Sequence, residues 1–99
     1  MVLPQLSIVI VNYNGVSYLE GCFTSLNQKL VGVTFEIIVV DNDSKDDSCR
    51  YIKQNFPEVR LIESKENLGF GKANNLGVKH AKYDTILLLN NDTVLQDQL

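Results

Sequence analysis

An α/β fold built on a doubly wound, mostly parallel sheet is what this 99-residue sequence predicts, and three observations carry the expectation. Short continuous apolar runs recur along the chain: LSIVIV (6–11), FEIIVV (35–40) and TILLLN (85–90). Stretches with helical spacing lie between them. Each run then stops in a cluster of Asn, Asp or Ser. β-branched and leucine runs of this length, bounded by polar residues, fit strands covered on both faces, as parallel sheets require.

The elements follow in order. Residues 6–11 give the first strand. Leu19, Cys22, Phe23, Leu26 and Leu30 then recur at i, i+3, i+4, i+7 and i+11, which puts them on one face of a helix packed on the sheet. Residues 35–40 give the second strand. Cys49, Ile52 and Phe56 repeat the helical spacing, Ser44 with Asp47 resembles an acidic capping box, and Pro57 stops that helix. VRLIE (59–63) is a more mixed strand. From about 71 to 81, Ala73, Leu76, Gly77 and His80 mark a third helix whose small residues allow close approach to the sheet. TILLLN completes β-α-β-α-β-α-β, with connections long enough for right-handed crossovers. Residues 1–99 make one domain, without repeat or linker. A chain this short buries only about 60–65% of its unfolded surface, so its stability margin is thin.

Composition narrows the function. Nine basic against twelve acidic residues give a net charge of −3, and the Lys and Arg residues are scattered, which argues against a nucleic-acid partner. Cys22 and Cys49 lack CxxC spacing and fall on apolar helical stripes, so both are expected as reduced core thiols. No signal-type leader or run of ~20 apolar residues is present, which points to the cytoplasm or its membrane face.

The three polar clusters are residues 12–14, 41–44 and 90–92. In an open α/β sheet the carboxyl ends of strands share one edge, and ligands bind where strand order reverses. Turn and cap roles are the alternative for any one cluster, above all for Asn14-Gly15 and Ser44. On an extended chain Asn90 and Asp92 point to the same side and can address one ligand. Asp92 is the candidate ligand for a hard divalent cation, Mg or Mn rather than Ca, with a diphosphate and waters completing its shell. Tyr13 offers a flat face for a base, and Asp41 or Asn42 could bond a base edge or a ribose hydroxyl. GFGKANN (69–75) fits neither a dinucleotide fingerprint, since Asn74 stands where Gly is needed, nor a Walker loop, since Ala73 follows Lys72. Its glycines, the helix start after them or Lys72 could still approach a phosphate; a plain tight turn fits as well.

SIVIVNYNG, EIIVVDNDSKDDS, ENLGFGKANNLGV and ILLLNNDTVL, in this order and spacing, resemble the N-terminal nucleotide-binding half of family 2 glycosyltransferases. These are inverting GT-A enzymes, and the likeness is greatest to the rhamnosyltransferase-like branch, over about residues 5–95. The resemblance implies a Rossmann-like half of a GT-A fold that binds a UDP- or dTDP-linked sugar, as in cell-surface polysaccharide synthesis. Tyr13 would stack on the pyrimidine, and Asp41 and Asn42 would address base and ribose. Asn14, Gly71, Lys72, Asn74, Asn90 and Asn91 would complete the nucleotide-sugar contacts. Asp92 matches the last acid of the DxD-like motif, the ligand of the divalent metal. Two departures stand out: Asn42 replaces an acid common in the family, and Asn90 and Asn91 replace the earlier acid of the motif. The family's acceptor pocket and catalytic carboxylate lie further along than Leu99, and neither His80 nor Asp97 is a credible base. The expectation is therefore a fragment of a transferase, inactive alone, whose saccharide or lipid-linked acceptor site is missing and whose uncovered sheet drives homo-oligomerisation. A receiver-like binding module and a non-catalytic scaffold are the competing classes.

Overall fold

The computed structural model describes residues 4–96. Its elements are β1 (Gln5–Asn12), α1 (Val16–Lys29), β2 (Thr34–Asn42), α2 (Ser48–Asn55), β3 (Arg60–Ser64), α3 (Phe70–Lys79) and β4 (Ile86–Asn90). The strands form one sheet in the order β3-β2-β1-β4, with every neighbouring pair parallel. The chain winds outward from β1 to β3, and α3 then carries it back to the other side of β1. Strand order therefore reverses between β1 and β4, where an open sheet leaves a crevice beyond its carboxyl ends.

Alternation along the strands assigns each residue to a layer. Ile8, Ile10, Ile37 and Val39 join Leu19, Cys22, Phe23, Leu26 and Leu30 of the α1 segment, Ile52 of α2 and Val59 in the main core. The Phe23 and Phe56 rings meet edge to face with centroids 4.9 Å apart, which closes that core under the end of α2. On the opposite face Val9, Ile38 and Val40 are buried, and α3 lies over β1 and β2. A Cβ at Gly77 would collide with the Val9 side chain and come within 3.2 Å of Val40, so glycine sets how closely α3 seats.

The α3–β4 connection is tied to the amino edge of the sheet by polar bonds. Ser7 Oγ donates to Glu36 Oε2 at 2.7 Å and accepts from the Tyr83 N–H at 3.0 Å, while the Lys82 N–H donates to Glu36. A buried serine is thereby satisfied, and the register of β4 on β1, Ser7 against Ile86 through Val11 against Asn90, is pinned at its start.

Strand β4 lacks a covering layer on one face, as expected of a sheet left uncovered: Leu87 and Leu89 pack on the main core, but α3 stops short of β4 and leaves Leu88 51% exposed. Three expectations change. Ser44 and Asp47 form no capping box, because α2 starts at Ser48 with Asp47 as an N-cap that makes no side-chain bond. Asp46 supplies the acceptor instead, taking the Ser48 N–H at 2.9 Å and, across the loops, the Val16 N–H of α1 at 3.1 Å. One carboxylate thus serves the amino ends of two helices, where the helix dipoles favour negative charge. Helix α3 begins at Phe70, so that this ring belongs to its first turn. Cys49 is only half-buried, whereas Cys22 is a core thiol; both are free. Among the described residues no helix is long and apolar enough to cross a membrane. Asp97 lies outside the described residues.

Candidate functional site

The three polar clusters meet at the carboxyl edge of the sheet, joined by a buried network. Asn12 is fully buried on the α1 side of β1. Its Nδ2 donates to Asp41 Oδ1 at 3.0 Å, and its Oδ1 accepts from Asn91 Nδ2 at 2.9 Å. The tips of β2 and β4 are thereby both bonded to the tip of β1. Asp41 also accepts from the Ser44 N–H at 2.9 Å and the Ser44 hydroxyl at 2.7 Å. Ser44 Oγ in turn accepts the Asn14 N–H at 2.8 Å, and Asn14 Oδ1 accepts the Lys45 N–H at 2.7 Å. Asn14 (φ 50°) and Asp43 (φ 67°) take the left-handed conformation that Asn and Asp tolerate, which lets both loops turn this tightly. Gly15 completes the joint, since a Cβ there would run into the Asn91 amide and the Asn12 oxygen.

On the α3 side of this network lies an open pocket of about 390 Å³, lined by Val11, Tyr13, Asn42, Asn67, Phe70, Asn90, Asn91 and Asp92. Tyr13 is 50% exposed and Phe70 59% exposed, two aromatic rings left at the pocket with no covering layer. Asn42 is almost wholly buried, and its amide is spent on backbone: Oδ1 accepts the Leu68 N–H at 2.7 Å and Nδ2 donates to the Gly69 carbonyl at 3.3 Å. Asn90 and Asp92 both line the pocket, though not by strand alternation. The Thr93 N–H bonds the Asn90 carbonyl at 3.1 Å, and this turn brings Asn91 and Asp92 to the same rim.

Of the ten residues singled out in the sequence, Tyr13, Asn42, Asn90, Asn91 and Asp92 line the pocket. Asp41 does not: strand alternation turns it to the opposite face with Asn12, where its oxygens are held by Asn12 and Ser44. Asn14 is committed to the β2–α2 loop. Gly71 and Lys72 are exposed in the first turn of α3 outside the lining, and Asn74 is buried on α3 with its Oδ1 unpartnered. His80 caps the far end of α3, exposed. Sequence reasoning missed Val11, Asn67 and Phe70 as lining residues and Asn12 as the joint. The parity of Asn12 with Ile8 and Ile10, which places it on the covered face, was the available signal.

Charge at the site is sparse. Among the described residues no three His, Cys, Asp or Glu side chains come together to hold a metal ion. The donor set at the rim is nonetheless hard: the exposed Asp92 carboxylate beside the Asn90 and Asn91 amides. That fits Mg or Mn, which bind through one or two carboxylates together with substrate phosphates and water. Burial, then the Asp92 charge, pushes the Cys22 thiol up to about 11. Burial, then the charge and hydrogen bonding of Asp41 and a bond to Glu63, pushes Cys49 up to about 12. Both thiols are therefore neutral and poor nucleophiles near pH 7.

The chain is similar to proteins that act on sugars. A dolichol-phosphate mannosyltransferase of Pyrococcus furiosus is 30% identical over 91 residues, covering 89% of this chain and 26% of that protein. A chondroitin synthase of Escherichia coli is 35% identical over 98 residues, covering 95% of this chain and 14% of that one. Among solved structures, S. aureus TarS 1-349 in complex with UDP superposes with a TM-score of 0.79 at 20% identity, over 95% of this chain and 29% of that chain. A mannosyltransferase of Pyrobaculum calidifontis in complex with GDP-Man and Mn2+ gives 0.79 at 20% identity, over 96% and 29%. The sequence thus spans under a third of the length of each of these proteins, and the structural pair establishes the GT-A fold. The family model described as Glycosyl transferase family 2 matches residues 7–99, and the chain belongs to that family.

Proposed function

We propose that this chain is the nucleotide-sugar-binding part of an inverting glycosyltransferase that passes a sugar from a nucleotide diphosphate to a saccharide or lipid-linked acceptor. One observation carries the reading. The strand tips at the switch point bring an exposed aromatic ring, Tyr13, and a lone exposed carboxylate, Asp92, to a single pocket. That pairing matches the two unlike ends of a nucleoside diphosphate: a flat base and a charged phosphate chain.

The division of labour follows from the chemistry of each group. Tyr13 stacks on the base, and the Asn90 amide bonds ribose or phosphate oxygens. Asp92 holds Mg or Mn, with Asn90 and Asn91 beside it; when bound, the ion neutralises the diphosphate that departs. The buried network through Asn12 fixes the spacing between the two ends, since it ties the tips of β1, β2 and β4 together. Lys72, in the first turn of α3, adds positive charge near the phosphate chain. The base that takes the acceptor proton belongs to a part of the enzyme beyond this sequence, so the chain alone is inactive in transfer. UDP and dTDP are the proposed nucleotides, in the cytoplasm or at its membrane face. The exposed Leu88 and the free edge of β4 support self-association of the isolated chain, which gel filtration at tens of micromolar would show as a species larger than a monomer.

Calorimetric titration with UDP and dTDP, with and without manganese, tests the reading. Metal-dependent heat that disappears in Asp92→Ala is the expected result. No heat with either nucleotide would leave a scaffold or self-associating module as the remaining class.

A further inference from the structure

We propose that Phe70 is a second wall of the nucleobase subsite, working with Tyr13, and that Asn42 is a positioning residue that sets this wall. The inference rests on the nucleotide-binding reading above.

Phe70 lies on the side of α3 that also carries Ala73, Asn74 and Gly77, all buried. Its own ring is nonetheless 59% exposed, and it lines the pocket at the carboxyl edge of the sheet. Two largely exposed aromatic rings lining one concave site suit a flat heteroaromatic ligand, since stacking recovers the apolar area both rings leave open.

The ring's place is fixed from the tip of β2. Asn42 Oδ1 accepts the Leu68 N–H and Nδ2 donates to the Gly69 carbonyl, the two peptide groups just before Phe70. The same carbonyl accepts the Ala73 N–H at 3.2 Å, the first bond of α3. Gly69 has φ 78° and ψ 170°, a backbone conformation open essentially to glycine alone, and its N–H is held by Asn67 Oδ1 at 2.8 Å. The side-chain amide donates and accepts at once from this position. An aspartate at residue 42 would keep the Leu68 bond but set a carboxylate oxygen against the Gly69 carbonyl. With both ends of its amide occupied, Asn42 acts on the base through Phe70.

The test is titration of UDP with manganese into the parent chain, Phe70→Ala, Phe70→Tyr, Asn42→Ala, Asn42→Asp and the Phe70→Ala/Asn42→Ala double variant, with pyrophosphate and manganese as the base-free probe. Phe70→Ala should weaken UDP roughly tenfold, the scale of one base–aromatic stack, leave pyrophosphate unchanged, and be rescued by Phe70→Tyr. Asn42→Ala and Asn42→Asp should weaken UDP but not pyrophosphate, and Asn42→Ala should add nothing in the Phe70→Ala background, because both changes remove one contact. The proposal is overturned by Phe70→Ala binding UDP as the parent does, by equal losses for UDP and pyrophosphate, or by additive effects in the double variant. Should circular dichroism show Asn42→Ala unfolded, the isosteric Asn42→Asp in both Phe70 backgrounds carries the same comparison. A parent chain that binds neither UDP nor dTDP defeats the nucleotide reading itself, a result distinct from a parent that binds while Phe70 is indifferent.

Discussion

Replacing Asp41 by alanine should unfold the chain far more readily without abolishing nucleotide binding by the molecules that remain folded. Asp41 is 2% exposed and accepts hydrogen bonds from Asn12 Nδ2, the Ser44 N–H and the Ser44 hydroxyl. The substitution leaves the fully buried Asn12 Nδ2 with only its longer 3.4 Å bond to Ser44 Oγ. Bonds to a charged acceptor contribute roughly 1.5–3 kcal/mol each; counting the Asn12 bond in full and the half-buried Ser44 bonds in part gives about 3–4 kcal/mol. A domain of this size has about 5–15 kcal/mol in all, so the loss is a large share of it. At about 4–8 °C per kcal/mol, Tm should fall by roughly 12–32 °C. Urea unfolding followed by circular dichroism measures the loss as a lower midpoint at unchanged slope. UDP titration well below the lowered Tm should give an affinity within about twofold of the parent. A variant that loses under about 1 kcal/mol while losing UDP would refute the reasoning, and would return Asp41 to the role of a direct base contact.

Acid should weaken the fold through Asp46. Partial burial works against its ionisation, but bonds from the Ser48 hydroxyl and from the Val16 and Ser48 N–H groups outweigh that and hold its carboxyl below the ordinary range. A depressed value contributes stability above about pH 4, the unfolded range, and loses it as pH falls through the folded value. Urea midpoints from pH 6 to 2.5 should therefore decline in the parent and decline less in Asp46→Asn, which keeps one acceptor oxygen and should also be about 1 kcal/mol less stable at pH 7 through loss of one of the two helix caps. Gly77→Ala should cost about 1–3 kcal/mol by overpacking against Val9, read as a lower urea midpoint, whereas an unchanged midpoint would show that α3 can lift without penalty. Neither Cys22 nor Cys49 should react with a disulfide thiol reagent at pH 8 until urea is added, because thiols raised to about 11 and about 12 carry almost no thiolate there.

The sheet was legible because its signal is local. Runs such as IVIV and IIVV announce buried strands, and the stripe from Leu19 to Leu30 announces a helix, wherever the rest of the chain lies. An uncovered strand at Leu87 to Leu89 was expected, but which leucine stands exposed was not legible: that it is Leu88 depends on how far α3 extends over the sheet, a tertiary fact absent from LLL. The site divided the same way. The polar residues after each strand were expected at one edge, and five of the ten line a common pocket there. The face each residue takes follows from pleat parity, and counting it from Ile8 and Ile10 in β1 and from Ile37 and Val39 in β2 would have set Asn12 and Asp41 beneath the rim. Phe70 escaped notice because its place depends on Gly69 turning into α3 and on the reach of Asn42 from another strand.

Strand β4 pairs with β1 across some eighty positions, Ser7 meeting Ile86. A ribosome adding about 5–20 residues per second has the tip of β1 made roughly 4–16 s before the turn that carries Asp92. Through that interval β1 has one sheet neighbour available and an unpaired flank, so the nascent polypeptide needs shelter there, and the pocket between the strand tips is complete only once β4 has been made.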